Sequence, residues 1–325
     1  MKPRAKRTLK GVTWGVLAIV LTVLLYGVLI EPRFIVDVEH EGVSLPGLPP
    51  QWEGQRIAVA GDFQVGMWMD NEGAMRKAVA RILELRPAAV LLAGDFIYEP
   101  GPESTGRKVA GIIDILRPLT REGLPTFAVL GNHDYGMMTE DEAPEPEASE
   151  EMARGLESIG IRVLRNESVP VVVDGAPLYI VGVDGHWPGR DRPLKALLGV
   201  PRGAPRIVLM HHPDSFPGFP EGSAPLAVAG HTHGGQVRIP FLPHWSWREL
   251  AVEGEVHTDG WIDDAGFGAS GNRLYINRGI GMSVVPIRIN CTPEVTVFTL
   301  RREEQRPSSG NTRPSAAWRG QGERR

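Results

Sequence analysis

A chain of 325 residues, 42% hydrophobic and 23% charged, has the composition of a folded protein rather than a disordered one. Its formal charge of −4 hides a division: residues 1–10 hold five Lys/Arg and residues 301–325 seven Arg against three Glu, leaving 23 basic against 36 acidic side chains, or −13, for residues 31–300. So acidic a body argues against duplex nucleic acid as a partner and suits a cation site, and the single cysteine, Cys291, rules out an internal disulfide.

Residues 1–10 read as a basic cytosolic segment, with Lys2, Arg4, Lys6, Arg7 and Lys10, and residues 11–30 as a transmembrane anchor. The anchor has 20 residues and no charge, enough at about 1.5 Å per residue to cross roughly 30 Å of hydrocarbon. The basic flank predicts a single pass through the cytoplasmic membrane, with everything after residue 30 on the extracytoplasmic side. A cleavable signal peptide is the rival, but the apolar stretch is longer than a usual signal core and no small-x-small site closes it. Lys6-Arg7-Thr8-Leu9-Lys10 also resembles a twin-arginine export signal with Lys in the first position. Residues 31–54 read as a linker, 55–300 as the folded domain, and 301–325, rich in Arg, Ser, Pro and Gly, as a disordered basic tail.

Within the domain, short apolar runs at 56–61, 89–94, 126–131, 179–183, 207–210 and 226–230 end in a glycine or a polar cluster, as buried strands feeding loops do. Helical patterns at 72–85 and 107–121 alternate with the first three, which predicts helices packed on a sheet with parallel strands. Residues 137–151 hold seven acids and two prolines and read as a solvated loop running into a helix at 153–159, with a lid as the alternative. Segments 169–173, 237–239, 273–277 and 294–300 follow with short turns and predict a second, more antiparallel sheet. The expected fold is α/β: a two-sheet β-sandwich flanked by helices.

Metal-ligand residue types fall directly after five of these strands. Asp62, Asp95, Asn132 with His133, His211, and His231 with His233 each follow one, and in such sheets ligands bind beyond the carboxyl ends of the strands. Carboxylates, an amide carbonyl and imidazoles without thiolate suit Mn, Fe or Zn rather than a structural zinc. A central carboxylate can bridge two cations about 3.5–4 Å apart, a pair that acidifies water and clamps the oxygens of an in-line displacement at phosphorus.

Gly-Asp-Phe at 94–96, Gly-Asn-His-Asp at 131–134, Met-His-His-Pro at 210–213 and Gly-His-Thr-His at 230–233 resemble, in order and spacing, the motif series of the calcineurin-like metallophosphoesterases. Asn277-Arg278-Gly279-Ile280-Gly281 with Pro286-Ile287-Arg288 further resembles a bacterial branch of membrane-associated or exported phosphodiesterases, some of which act on lipid-linked pyrophosphates. The resemblance covers roughly residues 55–300 and implies a four-layer α/β/β/α fold with two divalent ions, Mn first, Fe or Zn as alternatives. It implies that Asp95 bridges them, that Asn132, His211 and His231 complete one metal, and that Asp62 and His233 serve the other. His133 would stabilise the transition state or protonate the leaving oxygen. Where the family opens with Asp-x-His, this chain has Asp62-Phe63-Gln64, so the first metal is expected to meet either the Gln64 carbonyl or a water.

His212, next to His211, is expected to point the other way and to lie behind the site or on the surface. His186 reads equally as a substrate-facing or a satisfied loop residue, and His244 and His257 as ordinary. Trp245, Trp247 and Trp261 could line a lipid-facing rim or simply pack, and Cys291, with no basic neighbour in sequence, reads as a buried inert thiol. The expected function is hydrolysis of a phosphodiester or pyrophosphate, with a lipid-linked substrate suggested by the anchor. The alternatives are a phosphomonoesterase or nucleotidase and an inactive phospho-ligand binding module.

Overall fold

The computed structural model describes residues 3–69, 71–101, 105–239, 242–246, 257–262 and 266–303. Most of the expected tail and Trp247 lie outside the described residues, as do the side chains of His244 and Trp245.

The chain begins with α1 (Pro3–Leu29) and α2 (Glu31–Phe34), then β1 (Asp37–Leu45), β2 (Arg56–Ala60), α3 (Glu72–Leu85), β3 (Ala89–Leu92), α4 (Thr105–Arg121), β4 (Thr126–Ala128), α5 (Pro146–Ser158) and β5 (Arg162–Val163). It continues through β6 (Glu167–Val173), β7 (Ala176–Gly182), α6 (Pro193–Ala196), β8 (Arg206–Leu209), β9 (Ala227–Ala229), β10 (Arg238–Ile239), β11 (Leu242–Ser246), β12 (Gly260–Ile262), β13 (Leu274–Ile276) and β14 (Glu294–Arg302). Two six-stranded sheets result, in the orders β1-β14-β2-β3-β4-β5 and β12-β13-β9-β8-β7-β6.

The period-2 alternation of strand side chains decides which residues fill which layer. Ile57 and Val59 of β2, Leu91 of β3 and Phe298 of β14 face the second sheet, where they meet Leu178, Ile207 and Val228. Ala58, Ala60, Val90 and Leu92 face the other way, onto the helices. There α3 presents Met75, Ala78, Val79 and Ile82, and α4 presents Val109, Ile112, Leu116 and Leu119, spacings that gather one apolar stripe per helix. Beyond the second sheet, Val208, Met210, Ala227 and Ile276 are covered by α6 and a helical turn at Pro213–Gly218 instead of by long helices. The sandwich with helices outside is therefore present, with its helical cover thick on one face and thin on the other.

Three sequence expectations need correction. Asp37–Leu45, inside the segment read as a linker, is an edge strand paired in parallel with β14 from Asp37↔Glu294 to Leu45↔Arg302. Segment 294–300 belongs to the first sheet, antiparallel to β2, because an apolar run fits either sheet and only the long-range partner decides. The second sheet is mixed, with β7-β8-β9-β13 parallel and only its two edge strands, β6 and β12, antiparallel. Residues 238–239 leave it to form a separate ribbon with β11. The acidic stretch is also more ordered than expected: helix α5 starts at Pro146, with the Glu145 amide bonded to the Tyr135 carbonyl (2.6 Å).

Residues 10–26 of α1 are exposed, as a helix apolar on every side must be when no protein covers it. Its last turn differs. Gly27 is buried, its carbonyl accepts from the Arg288 amide (2.9 Å), and a Cβ there would lie 2.8 Å from the Arg288 oxygen. Just beyond, the buried Glu31 carboxylate accepts from the amides of Asn290 (3.0 Å) and Cys291 (2.6 Å).

Candidate metal centre

Strands β2, β3, β4, β8 and β9 deliver their carboxyl ends to one edge of the sandwich, and the turns there are sharp. Asp62, Gln64, Asp95, His231 and His233 all have positive φ, 49°, 52°, 53°, 73° and 53°, a conformation that costs a side-chain-bearing residue about 1 kcal/mol. The surroundings hold them. The Asp134 carboxylate accepts from the amides of Asp95, Phe96 and Gly131, each at 2.9 Å, tying two strand-end turns together. From the far end of the chain, the amides of Ile280 and Gly281 bond to the carbonyls of Gly61 (3.0 Å) and Asp62 (2.6 Å). A Cβ on Gly131 would run into the Asp95 carboxylate, and one on Gly279 would lie 2.5 Å from the Asp62 Cβ.

On one side of Asp95 four donor atoms converge. Asn132 Oδ1 lies 3.2 Å from His211 Nε2 and 3.2 Å from His231 Nδ1, and His211 Nε2 lies 3.3 Å from Asp95 Oδ2. Each orientation has a cause. Asn132 gives its Nδ2 to the Met137 carbonyl (2.7 Å), which turns Oδ1 inward, and His211 Nδ1 donates to the Ala93 carbonyl (2.7 Å). A neutral His211 then has only a lone pair at Nε2, facing two oxygens that also lack a proton. That contact demands positive charge. Burial pulls the His211 imidazole down, but the Asp95 carboxylate outweighs it and carries the ring up to about 9. Separations near 3 Å are those of neighbouring ligands around a cation bound at about 2.1 Å, so these atoms fit a divalent ion.

The other side is built differently. Asp62 accepts from the His231 amide at 3.0 Å, and Gln64 Nε2 donates to Asp95 Oδ2 (2.8 Å) and faces His233 Nε2 (3.4 Å). Gln64 Oε1 and His233 Nδ1 are buried with no hydrogen-bond partner among the described residues. Half a turn of the Gln64 amide would place Oε1 against the same carboxylate and imidazole, three acceptors that only a cation reconciles. These residues too fit a divalent ion, with fewer fixed contacts. Burial and the neighbouring Asp95 raise the Asp62 carboxyl. At Asp95 burial acts in the same direction, but His211 and His133 prevail and hold it well below the usual carboxylate range.

His133 stands at the mouth. Its Nδ1 meets the Tyr98 carbonyl, its ring stacks on Tyr98 (5.3 Å between centroids), and its Nε2 is 3.9 Å from Asp95 Oδ2. It opens into a cleft of about 260 Å³ whose wall includes Asn132, His231, His233, Trp187 and Val284. Every residue expected at the site, Asp62, Gln64, Asp95, Asn132, His133, His211, His231 and His233, is thus brought to one place.

His212 is buried instead of on the surface, with its ring 4.0 Å from that of His231, and burial pushes its imidazole well below the ordinary range. His186 is a satisfied loop residue, bonded through Nδ1 to Asp191 (2.8 Å). Trp261 packs on Tyr275 and Phe298 and donates to Glu41 (3.0 Å), so it belongs to the core rather than to a rim. His257 packs on Phe267. Cys291 does have a basic neighbour, Arg288 Nη1 at 3.7 Å, yet burial still pushes its thiol up.

Two supporting residues carry no sequence signal of their role. Asp134 lies inside a recognised motif, but its type alone suggests a ligand, whereas its carboxylate is spent on backbone amides. Arg288 is fully buried, and its guanidinium donates to the carbonyls of Gly281 (2.6 Å), Arg278 (2.8 Å) and Cys291 (3.1 Å). Only the fold reveals that these loops meet around it.

The family model described as calcineurin-like phosphoesterase matches residues 55–235, more than half of the chain. Phosphodiesterase YaeI of Escherichia coli K12 is 33% identical over 224 residues, 69% of this chain and 74% of its own. The uncharacterized metallophosphoesterase YkuE of Bacillus subtilis 168 is 26% identical over 277 residues, 85% of this chain and 89% of its own. UDP-2,3-diacylglucosamine pyrophosphatase LpxG of Chlamydia muridarum is 22% identical over 284 residues, covering 75% and 83% respectively.

Proposed function

This chain belongs to the calcineurin-like phosphoesterase family, hydrolases of phosphoester bonds that bind divalent metals, and we propose that it cleaves a phosphodiester or pyrophosphate at the outer face of the cytoplasmic membrane. The observation that carries this reading is the convergence of ligand-type oxygen and nitrogen atoms about Asp95, with the His133 imidazole beside them at the mouth of the cleft. Asp95 would serve both of two cation positions; Asn132, His211 and His231 would hold one ion with it, and Asp62, His233 and Gln64 the other. Two divalent ions, Mn in the first instance, would supply the Lewis acidity and an acidified water.

The chain's own groups do the rest. Tyr98 fixes the His133 ring by accepting from Nδ1, so that Nε2, when protonated, can give its proton to the leaving oxygen. Asp134 keeps the turns bearing Asp95 and Asn132 in register before substrate arrives. Support for a lipid-linked substrate comes from the activity for which the LpxG relative is named and from α1, whose apolar length suits a span. Gly27 in the fold supports retention of that helix, since cleavage after it would remove a packed turn.

The test is metal content and Mn-dependent hydrolysis of bis-p-nitrophenyl phosphate by the full chain, beside Asp95→Ala and His133→Ala. Near two ions per chain, with turnover reduced about 10³-fold by the first change and 10²-fold or more by the second, is the expected result. Faster release from the mono-aryl ester would make it a phosphomonoesterase. Turnover no better than the variants would leave a phospho-ligand binding module.

A further inference from the structure

The end of α1 is bonded to the same short loop that forms part of the lip of the cleft. Arg288 bonds through its amide to Gly27, and Ile287 and Ile289 pack against the same glycine. Three residues earlier stands Val285, and beside it Val284, which lines the cleft together with Ser283. Ser283 is held by Gln236, whose Oε1 accepts from its amide (2.6 Å). A chain extends at most about 3.6 Å per residue, so Val285 lies within about 11 Å of Arg288, and therefore close to the point where α1 joins the domain.

Val284 and Val285 are 69% and 42% exposed, and Val284 holds φ at +64°, where a β-branched residue is strained. A second loop is tied to the residues that follow α1. Gly281 bonds to the Asp62 carbonyl, the Arg33 guanidinium donates to the Met69 carbonyl (2.7 Å), and Trp68, next in the chain, is 72% exposed. Phe34, 63% exposed, completes the group with Lys77 over its ring at 4.7 Å. Val284 borders the cleft, and Trp68 and Phe34 adjoin the Arg33–Met69 bond just past α1; exposed large apolar residues so placed mark a surface that meets something apolar. Here the partner is set by the helix: if α1 spans a bilayer, its last turn, and everything bonded to it, sits at the head-group level, the depth that tryptophan favours.

We propose that Trp68, Val284 and Val285 are seated in the interface of the membrane that α1 enters, so that the cleft draws an amphiphilic phosphoester sideways from the bilayer surface. This rests on the membrane-anchored phosphoesterase reading above and adds to it the orientation of the site and the face that touches lipid.

Nitroxide labels at Trp68→Cys, Val285→Cys and, as a control, Leu198→Cys, which is 83% exposed on a different loop, report depth in the full chain reconstituted in phosphatidylcholine–phosphatidylglycerol nanodiscs. Cys291 is buried and stays unlabelled. Collision with oxygen over a nickel chelate should be raised at positions 68 and 285 and aqueous at 198. Values at 68 and 285 as aqueous as at 198 overturn the proposal. In the same discs, hexadecyl p-nitrophenyl phosphate should exceed methyl p-nitrophenyl phosphate in kcat/KM by about tenfold or more, and Trp68→Asp with Val285→Asp should lower that ratio toward one while sparing the methyl ester. A ratio near one in the wild type, or one unmoved in the variant, also overturns it. No turnover of either ester would instead defeat the phosphodiesterase reading, and the collision data would still decide where the rim sits.

Discussion

On one side of Asp95 the Asn132 amide and the His211 ring each commit one atom to a backbone carbonyl and turn the other inward, whereas on the opposite side Gln64 and His233 each bury an atom that has no hydrogen-bond partner among the described residues. A ligand whose far atom is pinned needs no reorganisation when a cation arrives, and a ligand without that anchor must be ordered by the cation itself. The two positions about Asp95 should therefore differ in affinity even with similar donor sets. The half that departs from the family pattern, at Gln64, is also the half with the fewest external contacts.

The most damaging way to break this contrast is His211→Ala. It should lower affinity at the pinned half by at least about 100-fold, read as residual metal after dialysis against a graded chelator, and leave the other half with the greater share. Loss of both ions equally would show that the halves are not independent. Asp134→Asn comes next. It replaces an acceptor of three close amide bonds with a group that keeps one acceptor oxygen, and should cost about 3 kcal/mol in thermal or denaturant unfolding, with a fall in metal content that follows the pinned half.

Gln64→His sharpens the comparison instead of breaking it. An imidazole in place of the amide should tighten the looser ion by about tenfold in competition with a chelator, a factor typical of tuning around a metal, with the tighter ion unchanged. The smallest effect belongs to His186, outside both halves. Its bond to Asp191 raises its pKa, against partial burial. The stability this pairing adds is fully present below the unfolded value of about 6.5 and is lost as pH rises through the folded value. Wild type and His186→Gln should thus differ in Tm most at pH 5–6 and converge at alkaline pH.

Ligand positions were legible because they follow buried strands, and a strand end fixes where its next residue goes. Asp62, Asp95, Asn132, His211 and His231 could be placed from local pattern alone. Strand β1 could not: its exposures alternate poorly until Val43 and Leu45, and its partner is more than 250 residues away. For the same reason β14 looked at home in either sheet. Asp134 shows a different limit, since residue type cannot say whether a carboxylate faces a cation or a row of amides. His212 shows a third. The chain turns at residue 211, so neighbours expected on opposite faces have ring centroids 4.7 Å apart.

The left-handed backbone at Asp62, Gln64, Asp95, His231 and His233 has a consequence for how this protein changes under mutation. At each of those positions glycine would relieve the strained φ and steady the bare scaffold by up to about 1 kcal/mol, while erasing a candidate ligand. Selection for thermal robustness without bound metal would weigh that relief against the bonds each side chain makes, and Asp62 and Asp95 accept from the buried amides of His231 and His133. A directed-evolution line screened for heat resistance in the presence of a chelator should therefore lose His233 before Asp62 or Asp95, and the order of loss would record which half of the centre the fold can most readily do without.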